Sequence, residues 1–303
     1  MNAPLAIPPT WTTGSTAVIK TGTWRAAIAS HISAPSPCHS ACPMHGEIAS
    51  WIGQARAGDT HGAWRTLSLH NPFPAVIGRI CHHPCETACN RAEVDGPLSI
   101  CKLERHVGDV ALRQGWQHEA PSAHAQRGER VAVVGGGPSG LSAAYHLRRR
   151  GFAVTLFEAG AQLGGVMRDG IPGYRLARQV LDAEIERVLA LGIELRCNHA
   201  IATPEALAGL RAQFDAVYLA YGAKQPKRLA QLDYARPWAL DGADYLAQAN
   251  AGTPPPLGRR VVVIGGGSAA FDVARSARRA GHEVTMLALE AQAQLPAQHE
   301  ELD

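Results

Sequence analysis

The chain has 303 residues, 46% hydrophobic and 18% charged, a composition that fits an ordinary folded protein of about two domains and excludes a disordered or fibrous one. With 29 basic residues against 26 acidic, the formal charge of +3 is too small to imply a nucleic-acid or anionic-membrane surface. No run approaches the roughly 18 apolar residues of a membrane span, and the first thirty residues lack a basic start, an apolar middle and a cleavage site, so a cytoplasmic setting is expected.

Residues 1–35 are rich in Pro, Thr, Ser and Ala without periodicity and read as a loosely ordered arm. From Gly46 to about Gly115 the pattern is helical, with Ile48, Trp51, Ile52 and Ala55 on one face and Ile100, Leu103, Val107 and Val110 on another. Trp51 and Trp64 are expected in the core of this small domain, 36–117. The stretch His118 to Arg130 has Pro, Gly and charge without apolar period and reads as a linker. Beyond it, Val131–Val134 and Ala153–Phe157 are predicted strands flanking a helix over Pro138–Arg150, whose terminal basic run Arg148 to Arg150 suits the helix dipole. A helix over Leu176–Leu191 is closed by Gly192. Ile193–Cys197 alternates like a strand, with Cys197 expected as an inert buried thiol. Thr203 caps a helix begun by Pro204, and Ala216–Ala220 supplies another strand. The strand–helix–strand triplet returns at Val261–Ile264, Ser268–Ala280 and Glu283–Leu287. The expected fold class is α/β: Rossmann-like segments with a mainly parallel sheet, preceded by a small α-helical domain.

Two glycine fingerprints carry chemistry. In VAVVGGGPSGLSAAYHL, Gly135, Gly137 and Gly140 stand in G-x-G-x-x-G spacing between strand and helix, with Pro138 and Ser139 opening the helix. The first glycine permits the tight turn, the second lets the backbone approach a pyrophosphate, and the third lets helix and strand pack closely. Glu158, 23 residues beyond Gly135, is placed to bind ribose hydroxyls. In VVVIGGGSAAFDVARSARRAGHEVTML the pattern repeats as Gly265, Gly267 and Ala270, with Ser268 and Ala269 between. Two dinucleotide sites on one chain suggest one flavin and one nicotinamide. Glu290, with no nearby arginine, favours NAD(H) over NADP(H), although it stands two positions later than Glu158 does in its unit.

Six of the seven cysteines, Cys38, Cys42, Cys81, Cys85, Cys89 and Cys101, lie in the first 101 residues. In a reducing compartment this favours metal or cluster ligation over disulfides. Thiolates four apart share a helical face and can converge, but spacing alone leaves both an iron–sulfur cluster and structural zinc open. His82 and His83 read as loop residues, and no Ser/His/Asp or Cys/His constellation points to hydrolysis.

PCHSACPMHGEI, GRICHHPCETACNRAEVDGPLSICKLERHVGD and GGVMRDGIPGYRLAR, joined to the first fingerprint, resemble the glutamate synthase small-subunit family of FAD-dependent oxidoreductases, and with it the N-terminal module of dihydropyrimidine dehydrogenase and the flavin subunits of ferredoxin-linked NAD(P) oxidoreductases. The resemblance implies a helical 4Fe-4S domain, an FAD domain (131–235) and the first part of an NAD(P) domain (236–303). It implies one cluster on Cys42, Cys81, Cys85 and Cys101, the last standing where some relatives use glutamine. A second would take Cys38 and Cys89, but its remaining positions fall on Ser30 and Ser33, so one cluster is expected and the second is doubtful. Gly164, Gly165, Ile171, Pro172 and Arg175 match a segment lying along the flavin, and Tyr221 replaces a threonine near the adenine side. The implied activity is electron transfer between NADH, FAD and cluster, to or from a larger catalytic oxidoreductase subunit or a ferredoxin, with no catalytic acid or base and with neither nucleic acid nor membrane as partner. A non-catalytic adaptor and a zinc-stapled, flavin-dependent disulfide reductase using Cys38 and Cys42 are the alternatives. Such relatives continue beyond the equivalent of LPAQHEELD, so a C-terminally shortened chain, or one completed by another chain, is expected.

Overall fold

The computed structural model describes residues 34–122, 125–223, 226–297 and Glu301. The expected arm, and with it Ser30 and Ser33, lies outside the described residues apart from its last two positions.

Among the described residues six α-helices come first: α1 (Pro37–Ala41), α2 (Ile48–Arg56), α3 (Thr60–Ser68), α4 (Pro74–Ile80), α5 (Pro84–Thr87) and α6 (Ile100–Arg113). Asp59 caps α3 by accepting from the Gly62 amide at 2.8 Å, and prolines open α1, α4 and α5, where the missing N–H costs nothing. Trp51 and Trp64 are core, as expected, packed with Ile48, Leu67, Ile100 and Val107. The buried stripe of α6 differs from the apolar pattern, for Leu103 is 38% exposed while Gly108 and Ala111 are buried beside Ile100 and Val107. Contact with α4 decides this. A Cβ on Gly108 would stand 2.3 Å from the Ala75 nitrogen, and one on Gly78 would stand 2.4 Å from the Arg105 nitrogen, so the two helices touch backbone to backbone.

The α/β part follows as β1 (Arg130–Val134), α7 (Pro138–Arg149), β2 (Ala153–Phe157), α8 (Val166–Asp169), α9 (Arg178–Leu189), β3 (Glu194–Arg196), α10 (Pro204–Gln213), β4 (Ala216–Leu219), α11 (Gly242–Asn250), β5 (Arg260–Ile264), α12 (Ser268–Arg279) and β6 (Glu283–Leu287). The first sheet is parallel in the order β3-β2-β1-β4, with Val131 opposite Val154 and Ala216. Its two faces are filled alternately. Val133, Val154 and Leu156 pack with Leu141, Leu181 and Val188 on one side, whereas Ala132, Val134 and Phe157 meet Leu210 and Phe214 on the other. β5 and β6 form a separate parallel pair.

The stretch expected as a linker is mostly exposed and irregular, but its first residue is docked: the His118 ring lies 5.2 Å from that of Trp64 and 4.7 Å from that of Tyr145, at the junction of the helical part with α7. Cys197 is only partly buried, because β3 is an exposed edge strand. The basic run at the end of α7 is structural: Arg148 donates to the Leu191 and Phe152 carbonyls, and Arg149 to those of Ser68 and Leu69. Among the described residues no helix is long and apolar enough to cross a membrane.

Candidate functional site

The six N-terminal cysteines all belong to the helical part. Cys81 terminates α4, Cys85 sits in α5, Cys101 is the second residue of α6, and Cys42 follows α1. α1 packs on α5, and α5 on α6, so residues up to 59 positions apart are gathered at one place. The close crossing of α4 and α6 brings Cys81 and Cys101 together, the Cys101 sulfur reaching the Ile77 carbonyl at 4.0 Å. Around them the His83 amide donates to the Cys81 sulfur at 3.3 Å, and the Cys101 amide donates to Glu86 at 2.7 Å. His83 stands in a left-handed backbone conformation with its ring turned to Glu86 at 3.5 Å, the loop role expected of it.

Burial pushes all three enclosed thiols up, Cys85 and Cys101 to about 12, and the negative charges of neighbouring thiols and of Glu86 and Glu104 add to it. Cys42 contributes to the raising of Cys81 and Cys85. Such thiols, once ionised, repel one another unless cations lie among them, so the donor set, soft and anionic, fits an iron–sulfur cluster. Cys38 meets the Ser36 hydroxyl at 3.2 Å and, with Cys42, packs against the core cluster that includes Cys85. Among the described residues no three His, Cys, Asp or Glu side chains converge as the ligands of a single metal ion would.

The first glycine loop joins β1 to α7. Gly135 has φ +111°, and a Cβ there would stand 2.3 Å from the Ala220 carbonyl oxygen. One on Gly140 would lie 1.8 Å from the Gly135 carbonyl, the close helix–strand contact expected of the third glycine. Gly137 is open, its nearest would-be neighbour being the Gly165 Cα at 3.9 Å, and no side chain caps the start of α7 at Pro138 and Ser139. This is a cradle with exposed backbone at a helix N-terminus, and it fits a pyrophosphate. Gly164 and Gly165, at φ +122° and +50°, close behind the loop, and the Gly164 amide donates to the Gly136 carbonyl at 2.8 Å. Glu158 ends β2 with one carboxylate oxygen accepting from the Gly136 amide at 2.7 Å and the other from the Gly160 amide at 2.8 Å. Ser139 meets the Tyr218 hydroxyl at 3.0 Å, while Tyr221 is exposed.

The second loop repeats this arrangement. Gly265 has φ +136°, a Cβ on it would touch that of Ala270 at 3.3 Å, and Gly267 is open at the uncapped start of α12, where Ser268 and Ala269 follow. A Cβ on Gly136 would meet Leu163 and Glu158, at 2.2 and 3.0 Å. On Gly266 it would meet Leu295 and Glu290, at 2.6 and 3.2 Å. The Gly266 carbonyl accepts from the Ala297 amide at 3.2 Å, as that of Gly136 does from Gly164. Glu290 is therefore the spatial counterpart of Glu158 despite its later position.

Ile171 and Pro172 lie between α8 and α9. Arg175 follows them, but its guanidinium is 2.6 Å from Asp272 on α12 and paired with Glu301, not a solvated cation. Asp272 is a residue that pattern reading missed. Only its place four residues after Ser268 in an otherwise Ala- and Arg-rich helix marks it in the sequence.

Comparison with known proteins agrees with this geometry. Residues 31–116 match the profile described as dihydropyrimidine dehydrogenase domain II, 4Fe-4S cluster, and residues 129–302 match that of pyridine nucleotide-disulphide oxidoreductases. The beta subunit of the NADP(+)-dependent formate dehydrogenase of Moorella thermoacetica is 35% identical over 286 residues, which cover 86% of this chain and 40% of that protein. The glutamate synthase [NADPH] small chain of Mycobacterium tuberculosis is 35% identical over 259 residues, covering 80% of this chain and 52% of that one. The chain thus spans about two fifths to a half of the length of these relatives. Among solved structures, Mycobacterium tuberculosis FprA in complex with NADPH shares the fold, with a TM-score of 0.51 and 24% identity over 58% of this chain and 46% of that one. Since the second match runs through more than half of its residues, the chain belongs to the pyridine nucleotide-disulphide oxidoreductase family, with a 4Fe-4S segment of the dihydropyrimidine dehydrogenase type ahead of the dinucleotide-binding region.

Proposed function

We propose that the chain is an electron-transfer subunit moving electrons between NAD(H), FAD and one 4Fe-4S cluster, to or from a larger catalytic oxidoreductase subunit or a ferredoxin in the cytoplasm. One observation carries this reading: the same compact unit, 36–303, holds the enclosed thiols Cys81, Cys85 and Cys101, with Cys42 acting on the first two, together with two open glycine loops. FAD, when bound, supplies the exchange between a two-electron hydride and single electrons that links a nicotinamide to a cluster.

The chain's own residues bind and position. Cys42, Cys81, Cys85 and Cys101 would hold the cluster. Gly135, Gly137, Pro138, Ser139 and Gly140 would take the FAD pyrophosphate, Glu158 the ribose, and Gly164, Gly165, Ile171 and Pro172 the flank of the flavin. Gly265, Gly267, Ser268, Ala269 and Ala270 would take the nicotinamide dinucleotide, with Glu290 on its ribose. A carboxylate there accepts from a free ribose hydroxyl and repels a 2′-phosphate, so NADH is the preferred nucleotide, unlike the relatives named for NADP(+) and NADPH. No side chain is required as acid or base, and catalysis consists of distance, orientation and water exclusion. A centre that releases single electrons needs an acceptor outside the chain, hence the partner subunit.

The test is anaerobic reconstitution followed by iron and sulfide analysis. About four of each per chain are expected, with a paramagnetic signal on reduction by dithionite or NADH. Bound zinc without iron, or eight iron and eight sulfide, would overturn the cluster assignment.

A further inference from the structure

The strip Asp169–Arg175, which carries Ile171 and Pro172, is fastened to the second dinucleotide segment at three independent points. Arg175 pairs with Asp272, one turn into α12 and thus directly behind the second glycine loop. The Arg279 guanidinium lies 4.2 Å from the centre of the Tyr174 ring, whose hydroxyl is bonded by Ser276 on the same helix. On α11, the Asn250 amide donates to the Asp169 carbonyl at 2.7 Å and to that of Ile171 at 3.2 Å. The charged contact is enclosed: Asp272 is 5% exposed, and Glu301, on the other side of the guanidinium, 6%. A buried carboxylate pair held by one arginine has a single arrangement of low energy, because removing the arginine leaves two uncompensated charges out of water.

We infer that Arg175 and Asp272 form a positioning latch that sets the second glycine loop, and with it a bound nicotinamide, against the flavin-facing strip, and that Arg175 is not a flavin ligand. The inference rests on the hydride route proposed above. The two ring systems would be carried by different segments of the chain, and hydride transfer falls steeply when reacting atoms are misplaced by as little as an ångström. Without the latch the strip is held to the second segment by the Tyr174 ring and hydroxyl and by the Asn250 amide, contacts that carry no buried charge pair.

Asp272→Asn keeps shape and removes charge, and Arg175→Lys keeps charge and loses the fork. In FAD- and iron-loaded protein, NADH-driven bleaching of the flavin is expected to slow about tenfold or more in Asp272→Asn, with FAD content and the rate from chemically reduced flavin to cluster unchanged, and Arg175→Lys is expected to fall between it and the parent. In cofactor-free chain, amide exchange over residues 169–176 is expected to quicken in Asp272→Asn. Where a variant folds poorly, Arg279→Leu, at an exposed position, serves as the second probe and is expected to shift exchange in the same strip. Loss of FAD from the Arg175 variant, or an unchanged hydride rate in Asp272→Asn, overturns the latch. Should the parent itself show no bleaching by NADH, the proposed function fails, and unchanged exchange in Asp272→Asn then rejects the latch separately.

Discussion

Two glycines of the first loop, Gly137 and Gly140, do different things, and the difference is the distance to the next atom. At Gly137 an added Cβ meets only the Gly165 Cα, at an ordinary 3.9 Å, the φ of −80° suits any residue, and no side chain caps the helix start. Gly137→Val is therefore expected to leave stability within about 1 kcal/mol in urea unfolding while weakening FAD binding at least about tenfold by flavin fluorescence titration, since the branch blocks the pyrophosphate. At Gly140 the Cβ would stand 1.8 Å from the Gly135 carbonyl. Gly140→Ala is expected to destabilise the fold by ~1–3 kcal/mol in the same unfolding assay, because strand and helix must part. The close approach at Gly140 was legible in the sequence because spacing after a strand dictates backbone geometry locally. The role of Arg175 was not, because its partner Asp272 stands 97 positions away.

At the scale of elements, the thiol site is built by helix crossings rather than by the thiols themselves. α4 and α6 meet at Gly78 and Gly108, and that approach fixes where Cys81 and Cys101 stand. Gly108→Ala inserts a methyl 2.3 Å from the Ala75 nitrogen. It is expected to lower iron incorporation at least severalfold in anaerobic reconstitution although no ligand is changed. Apolar periodicity misread α6 for the same reason, since Gly108 is invisible to a hydrophobicity count yet decides which face is buried.

The junction of the helical part with α7 carries a second consequence. Burial, then the charges of Arg187 and Arg149, push the His118 imidazole down to about 3 from its usual 6.5. The folded ring is neutral while the unfolded ring takes a proton below 6.5, so His118 contributes stability that is complete above pH 6.5 and is lost as the pH falls towards 3. Subtracting the His118→Phe profile from that of the parent should leave a slope of up to about 1.4 kcal/mol per pH unit in that window by denaturant unfolding. Identical slopes would place the ring in solvent. Composition alone made this stretch a linker, because Pro, Gly and charge mask a ring that docks against Trp64 and Tyr145.

Across the whole molecule, the second loop reproduces the first down to the glutamate and leucine against its middle glycine. That correspondence is the basis for proposing Glu290 as the residue that sets nucleotide choice. With NADH and NADPH compared in kcat/KM, the parent is expected to prefer NADH, and Glu290→Gln to raise the relative use of NADPH severalfold by removing a repelling charge. A preference for NADPH in the parent would reject the assignment.

What the sequence by itself determined is what depends on neighbours along the chain: two strand–glycine–helix–strand units, the Thr203 cap that accepts from the Ala206 amide at 3.2 Å, and a block of thiols in its first third. Each follows from backbone sterics and local hydrogen bonding, which act over a few residues. The tertiary structure decided that Cys81, Cys85 and Cys101 are enclosed beside one another, that Glu290 faces Gly266 in spite of its late position, and that Arg175 lies between two carboxylates. Those outcomes depend on helix crossings and charge burial between distant segments, where the energy belongs to a pair of residues and not to either one's place in the sequence.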